Sequence, residues 1–595
     1  MAVKTLGLTY WTGSEKKMKI LGIHDGHNCG ATLLIDGKIA AAVCEERLTR
    51  RKNELGYPEK SIQEVLDIAG ITAAELDQVA YASNFMHTAD HLDRAVEWYR
   101  AGYEEQMRDR QRDKTYLQAV FDKRREERIA QAVEHLGISE DKISFVEHHL
   151  AHGAAAYYGA PFDLNEPTLI LTCDGAGDGL SATVSIGNGT QIERIAATPR
   201  KASLGKVYSR VTYLLGLQPW EHEYKIMGMA PYAEQKYAEE VRDILREHLK
   251  LSDDGLNFEL ASDLESSYIY HFLRDRFERK RFDAISGGVQ MFTEEILQEW
   301  VRRAVEHTGI HRVVCGGGVF MNVKANKLVG ELESVDELFI FPSCGDESLS
   351  FGAVWSEYAR LSGEEVGKAR EPLQHLYLGR EFSDAEIKTS IDAGIEGTGC
   401  QVRRYEDIDR TVAHVLAGNN VVARFAGRME WGARALGNRS ILTNPSEWAN
   451  VEKINAMIKK RDFWMPFAPS LLAEESDRYL VNPKGFESPY MMLAYDTQEA
   501  TEREICAAVQ PRDKTARAQF VYKETNPSYW NLIKAFEEET GTACVLNTSF
   551  NLHGYPLINT PGEALEVFFD SGLDYLAVGN YLLSKPDCSL PEGQE

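Results

Sequence analysis

The stretch from Met18 to Val43 narrows the fold more than any other. Met18-Lys19-Ile20-Leu21-Gly22-Ile23 reads as a strand, followed by a polar turn from His24 to Gly30. Ala31-Thr32-Leu33-Leu34-Ile35 reads as a second strand, Asp36-Gly37 as a tight hairpin turn, and Lys38-Ile39-Ala40-Ala41-Ala42-Val43 as a third. A plain antiparallel meander is the bland alternative, so the rest of the chain has to decide.

At 595 residues the chain exceeds a single hydrophobic core, and two or more domains are expected. The polar segment from Leu361 to Gln374, with Pro372, is the natural linker. The segment from Asp90 to His135 is charged and helix-favouring, and reads as a solvated helical excursion. A net charge of -25 disfavours non-specific nucleic-acid binding. Nine cysteines without a CxxC pair predict reduced thiols in a cytoplasmic protein, and no apolar run reaches membrane-spanning length. Met1–Lys17 is polar and reads as an N-terminal extension.

Three clusters carry chemistry. In Glu147-His148-His149-Leu150-Ala151-His152 a helix would put His148 and His152 on one face, where two imidazoles can reach one divalent ion. Asp174 and Asp178, in a glycine-rich turn after an apolar strand, are candidate carboxylates. Asp346 could be a helix cap or a further ligand. A strand then meets Gly316-Gly317-Gly318 ahead of Asn322, a pattern that suits a phosphate cradle or, equally, a tight packing turn. Finally Arg428, Arg434 and Arg439, with Lys459, Arg461 and Arg517, are unusual in an acidic chain and could converge on an oxyanion.

The strand-turn-strand opening resembles that of actin-like ATPases, and these segments in their order resemble the NodU/CmcH family of O-carbamoyltransferases. The resemblance runs from Met18 to about Lys585. It rests on His27 with the Asp36-Gly37 hairpin, Glu45-Glu46-Arg47, His148-x-x-x-His152, Asp174-Gly175-x-Gly177-Asp178, Lys225-x-Met227-Gly228-x-Ala230-Pro231-Tyr232, the triple glycine with Asn322, Gly345-Asp346, Gly427-Arg428-Met429-Glu430 through Ser440, Pro466-Phe467-Ala468-Pro469-Ser470, and Asn547-Thr548-Ser549-Phe550-Asn551.

The resemblance implies an α/β protein: an N-terminal extension (1–17), an actin-like carbamoyl-transfer domain (18–370) and a YrdC-like carbamoyl-adenylate-forming domain (371–595). It implies His148, His152, Asp174 and Asp346 as ligands of a divalent metal, with Fe(II) the family's usual ion; the donor set also accepts Mn(II) or Zn(II). Gly316, Gly317, Gly318 and Asn322 correspond to the ATP-binding loop. Arg434, Lys459, Arg461, Arg517 and Ser549 correspond to the carbamoyl phosphate site, with Lys459 and Arg517 taking part in catalysis. His27 corresponds to the base for the acceptor hydroxyl, and His24 is a rival three residues away. The implied partners are ATP, carbamoyl phosphate and a small-molecule hydroxyl acceptor (a natural product or sugar), with no nucleic acid and no membrane; a homodimer is left open. This chain departs from the family at Pro511-Arg512-Asp513-Lys514-Thr515-Ala516-Arg517, usually His-x-Asp-Gly-Thr-Ala-Arg, and at Met465, usually Arg. Lys514 is the candidate replacement for that missing cation. Two other readings use the same domain types: a tRNA threonylcarbamoyl-type transferase and a non-catalytic nucleotide-binding scaffold.

Overall fold

The computed structural model describes residues 17–93, 95–111, 114–363 and 370–592. The extension before Lys17 and the middle of the linker, 364–369, lie outside the described residues.

Strands β1 (Lys19–His24), β2 (Gly30–Ile35) and β3 (Lys38–Cys44) form antiparallel hairpins, and β4 (Gln78–Ala82) and β5 (Ile143–Val146) continue from β1 in parallel. The order is β3-β2-β1-β4-β5. A second five-stranded sheet repeats it. There β6 (Thr168–Gly177), β7 (Leu180–Asn188) and β8 (Gln191–Pro199) are antiparallel, and β11 (Arg312–Gly316) and β12 (Glu337–Ile340) are parallel beyond β6. A short β9–β10 hairpin (Leu249–Leu251, Phe258–Leu260) lies between them in the chain. Two α/β units of one strand order and one set of directions make the duplicated architecture of the actin-like ATPase fold, and the opening stretch is its first hairpin rather than a free meander.

β1 is buried on both sides, which is why it reads as a continuous apolar run. Leu21 and Ile23 share a core with Ile62 and Leu66 of helix Glu59–Ala69, while Ile20 belongs to the core on the opposite face. Helix Leu349–Ser362 packs on this sheet, helix His148–Gly159 packs on the second, and the two helices meet. Gly352 permits that contact: a Cβ there would stand 1.7 Å from the carbonyl oxygen of Ala151. The two elements that carry His148, His152 and Asp346 are thus brought face to face by a glycine.

The second half holds an eight-stranded mixed sheet in the order β13-β23-β22-β14-β15-β21-β16-β20. Its strands are β13 (Gln401–Arg404), β14 (Val422–Phe425), β15 (Arg439–Thr443), β16 (Ala468–Leu472), β20 (Gln519–Val521), β21 (Cys544–Ser549), β22 (Tyr575–Val578) and β23 (Tyr581–Ser584). A small sheet of β17 (Leu480–Val481), β18 (Tyr495–Thr497) and β19 (Thr515–Ala516) flanks it. The halves are stitched together by polar contacts. Arg428 Nη2 donates to the carbonyl of Ala40 (3.2 Å), Arg50 Nη1 to that of Leu557 (2.6 Å), and Gln510 Nε2 to that of Gly228 (3.1 Å).

The charged excursion is helical, as expected, but it is not simply solvated. Arg128 is 1% exposed. Its Nε and Nη2 donate to the two oxygens of Asp25, each at 2.9 Å, and its guanidinium lies over the rings of Tyr81 and Phe145. Sequence alone cannot separate this arginine from its solvated neighbours, because the carboxylate it meets is 103 positions away.

Candidate functional site

Helix His148–Gly159 begins where two carboxylates cap it. Glu147 accepts from the Leu150 N–H (2.7 Å), and Asp178 Oδ2 accepts from that of His148 (2.8 Å). Asp178 also accepts from the N–H groups of Asn84 and Phe85, both at 2.8 Å. Asp178 therefore fastens the loop after β4 to the helix, and the second candidate carboxylate of the glycine-rich turn is a structural cap.

The remaining acidic and imidazole groups converge. His148 uses Nδ1 on the hydroxyl of Ser83 (2.9 Å), and its Nε2 stands 3.4 Å from Asp174 Oδ2 and 3.7 Å from Asp346 Oδ1. His152 uses Nδ1 on Ser348 (3.2 Å), and its Nε2 stands 3.5 Å from the same Asp346 oxygen. One donor atom from each of His148, His152, Asp174 and Asp346 lies within 4.8 Å of all the others. Donors that share an ion at about 2.1 Å stand about 3–3.5 Å apart, close to the 3.4, 3.5 and 3.7 Å of the neighbouring pairs, so with a small contraction the set could hold a divalent metal. His148 Nε2, His152 Nε2 and Asp346 Oδ1 are buried without a hydrogen-bond partner, as ligand atoms aimed at a common point would be. The serines play the part that outer-shell partners take in metal sites, fixing each ring through its other nitrogen. Asp346 makes no helix-capping bond, which removes the alternative reading of that residue. His149 bonds Thr172 (2.8 Å) and stays outside the set.

Burial opposes the charge on these groups, but mutual attraction outweighs it. Burial and the Asp346 carboxylate would raise the pKa of Asp174, yet His148 and His152 hold it at about 2. Burial would lower that of His148, yet Asp346 and Asp174 lift it to about 9.

The triple glycine serves this cluster from behind. A Cβ on Gly316 would stand 2.7 Å from the carbonyl oxygen of His152, and one on Gly317 (φ +94°) 2.4 Å from that of Cys173. Both glycines are required by close backbone packing, and neither lines the cavity. Gly318 donates its N–H to Asp174 Oδ1 (3.0 Å) and does line the cavity. Asn322 also lines it, but its Oδ1 caps the next helix at Ala325 (3.1 Å) and its amide pairs with Gln290.

His27 Nδ1 lies 3.3 Å from Asp346 Oδ2, and its side chain, 23% exposed, reaches the cavity. His24 is fully buried, directs Nε2 at the carbonyl of His27 (3.0 Å), and burial drives its pKa down to about 4. The two histidines differ in access, and only His27 meets the cavity. Sequence reading passed over Trp220, whose ring stacks on His27 with centroids 4.7 Å apart and planes 14° from parallel.

In the second half Arg434, Lys459, Arg461, Arg517 and Ser549 line the same cavity. Lys459 Nζ donates to Ser549 Oγ (3.1 Å) and to the side-chain and main-chain oxygens of Asn551 (2.6 and 3.2 Å). Arg461 donates to the carbonyl of Pro466 and the hydroxyl of Thr548. Each of these acceptors is neutral. Burial pushes the pKa of Arg461 down to about 10, and burial plus repulsion from Arg434 and Arg461 pushes that of Arg517 well below its ordinary value. Buried charges normally come paired. Here Lys459 is buried and Arg434, Arg461 and Arg517 are half-buried, and like cations facing neutral acceptors form a cluster suited to an anion. Arg428 and Arg439 do not join it. Arg428 holds the carbonyls of Gly379, Leu378 and Ala40, and Arg439 stacks on Phe425 at 3.7 Å. Lys514 does not replace the missing family arginine either: it sits on the surface, paired with Glu502 at 2.7 Å. Its φ of +59° explains the glycine usual at this position. Met465 itself lines the cavity.

One cavity of about 1870 Å³ reaches both clusters, with His27, His148, Asp174 and Asp346 at one part and Arg434, Lys459, Arg461 and Arg517 at another.

With this geometry in hand, the chain matches two family profiles, described as Carbamoyltransferase N-terminus (residues 19–355) and Carbamoyltransferase C-terminus (residues 413–585). It is 32% identical to the nodulation protein NolNO of Sinorhizobium fredii over 577 residues, covering 95% of this chain and 80% of that one. It is equally similar, 32% over 611 residues, to an uncharacterized protein of Synechocystis, covering 94% and 95%. The 3'-hydroxymethylcephem-O-carbamoyltransferase of Amycolatopsis lactamdurans is 29% identical over 270 residues, 44% of this chain and 47% of that one. Among solved structures, full-length HypF aligns at a TM-score of 0.33 with 16% identity, over 60% of this chain and 48% of that one, a likeness too loose to bear on the reaction. The fold and these matches define a transferase of carbamoyl groups. The chain belongs to the carbamoyltransferase family, of NodU/CmcH type. Among the described residues no helix is long and apolar enough to cross a membrane.

Proposed function

We propose that the protein is an ATP-dependent O-carbamoyltransferase acting in two steps, each in one half of the chain, with the halves taken as 18–370 and 371–595. In the second half carbamoyl phosphate is hydrolysed to carbamate and phosphate. A carbamate oxygen then attacks the α-phosphorus of ATP, pyrophosphate leaves, and carbamoyl-AMP forms. In the first half a hydroxyl of a small-molecule acceptor, a natural product or sugar, attacks the carbamoyl carbon and AMP departs.

The observation that carries this reading is the joining of a largely buried cation cluster, with neutral acceptors, and a metal-type quartet by a single cavity. Arg434, Arg461 and Arg517 offset the charge of a phosphate and, as guanidinium forks, can hold its oxygens in pairs. Lys459, seated on Ser549 and Asn551, adds a point charge at a fixed place. His148, His152, Asp174 and Asp346 would hold the divalent ion, of which Fe(II) is the family's usual choice. Such an ion supplies Lewis-acid stabilisation to a phosphate leaving group. Gly318 and Asn322 border the space a nucleotide would occupy. His27 takes the acceptor proton, and its access to the cavity favours it over His24.

Incubation with ATP and carbamoyl phosphate should release AMP and pyrophosphate in equal amounts. Release of ADP instead, or no pyrophosphate with any acceptor, contradicts the proposal.

A further inference from the structure

The proposed base is seated by a residue that no motif marks. Trp220 lies in the connection ahead of helix Glu223–Met229, is half-buried, and lines the cavity. Its backbone has φ +68°, a conformation that bulky side chains rarely adopt. Such strain persists only where the surroundings over-determine it, and it gathers at functional sites.

Here the surroundings form a closed ring of contacts. The Trp220 N–H donates to Glu223 Oε1 at 2.9 Å, which fixes the turn. Next to it, Glu221 pairs with Lys52 at 2.5 Å. Three residues beyond Lys52, Leu55 forms a β-bridge with His27. The ring closes where the indole stacks on the imidazole of His27 at 4.7 Å and 14°. The helix that follows, Glu223–Met229, is tied to the second half through Lys225 and Asp462 (3.1 Å) and through Gln510 on the carbonyl of Gly228. A tryptophan serving only as core would be buried and free of backbone strain.

We infer that Trp220 is a positioning residue, which holds the His27 ring in the plane that presents one nitrogen to Asp346 and leaves the other for the hydroxyl to be deprotonated. The inference rests on the proposed role of His27. Stacking restricts rotation of the imidazole about its χ angles, and a base held in line needs no reorganisation at the moment of proton transfer.

The test uses the full-length, metal-loaded protein with water as the acceptor, read in two assays. Carbamoyl phosphate-dependent exchange of labelled pyrophosphate into ATP reports adenylate formation, and AMP release reports transfer. Trp220→Ala should cut the kcat for AMP release by about tenfold or more, with the KM for ATP unchanged and exchange within twofold of wild type. Trp220→Phe, which keeps a stacking face, should recover most of the loss. In a His27→Ala background Trp220→Ala should add nothing. Equal AMP release by Trp220→Ala and wild type overturns the inference, as does a parallel fall in exchange, or an additive effect on His27→Ala. Absence of exchange in the wild type overturns the adenylate reading itself and the inference with it.

Discussion

Asp346 faces His27 with one carboxylate oxygen and the metal-type histidines with the other: Oδ2 is 3.3 Å from His27 Nδ1, while Oδ1 is 3.5 Å from His152 Nε2. One residue in the turn Asp346–Ser348, which leads into helix Leu349–Ser362, thereby links the proposed ion to the proposed base. Asp346→Asn keeps the size and removes the charge. It should weaken binding of the divalent metal at least about 100-fold and abolish carbamoyl transfer. Metal content after dialysis, compared with wild type, checks the first; acceptor-dependent AMP release checks the second.

The cation cluster is costly when no anion occupies it. Arg517 is half-buried, its Nε is buried without a partner, and Arg434 and Arg461 repel it. Arg517→Met should therefore stabilise the ligand-free protein, by about 1–3 kcal/mol, while ending adenylate formation. Thermal melts with and without pyrophosphate read this out. Wild type should gain stability on adding pyrophosphate, and the variant should gain much less.

Arg128 and Asp25 form a buried ion pair, each side chain 1% exposed. Arg128→Met leaves the Asp25 carboxylate with only the longer contact to Arg124 (3.4 Å) and frees the carbonyls of Ala82 and Ser83. Destabilisation of about 3–5 kcal/mol is expected, measured by denaturant unfolding. Because Ser83 also holds His148, metal binding should weaken in the same variant.

Burial raises the Glu223 carboxyl from its ordinary value to about 7. The folded state thus keeps a proton that the unfolded chain loses near pH 4.5. Below that pH both states are protonated and the residue contributes nothing. Between pH 4.5 and 7 the unfolded state is increasingly favoured, and above 7 the penalty is complete, at most about 3 kcal/mol. Glu223→Gln removes this titration. Its stability relative to wild type should rise as pH increases from 4.5 to 7 and stay level above, as urea unfolding across that range will show.

The sequence made the first hairpin, the histidine helix and the glycine-rich turns legible because each depends on local periodicity or on a short motif. Of the quartet, local pattern shows only that His148 and His152 share a helical face and that Asp174 follows an apolar run; the full set with Asp346 is what the family resemblance implies. What escaped depends on distant partners. Asp178 reads as a twin of Asp174, and only the loop after β4 turns it into a cap. Arg439 resembles Arg434 until Phe425 lies beneath it. Gly316 and Gly317 carry the signature of a phosphate cradle, and the backbones of His152 and Cys173 behind them give the reason they are glycine. Trp220 had no signal in spacing at all; its meaning lies in a ring from the opening stretch of the chain.

The central claim is a division of labour, with an adenylate made at the cations and spent at the quartet. It is tested most directly by exchange of labelled pyrophosphate into ATP, measured with and without carbamoyl phosphate in wild type, Asp346→Asn and Arg517→Ala. The account predicts exchange that requires carbamoyl phosphate, persists in Asp346→Asn and disappears in Arg517→Ala. Exchange that ignores carbamoyl phosphate, or that survives in Arg517→Ala and is lost in Asp346→Asn, would contradict it.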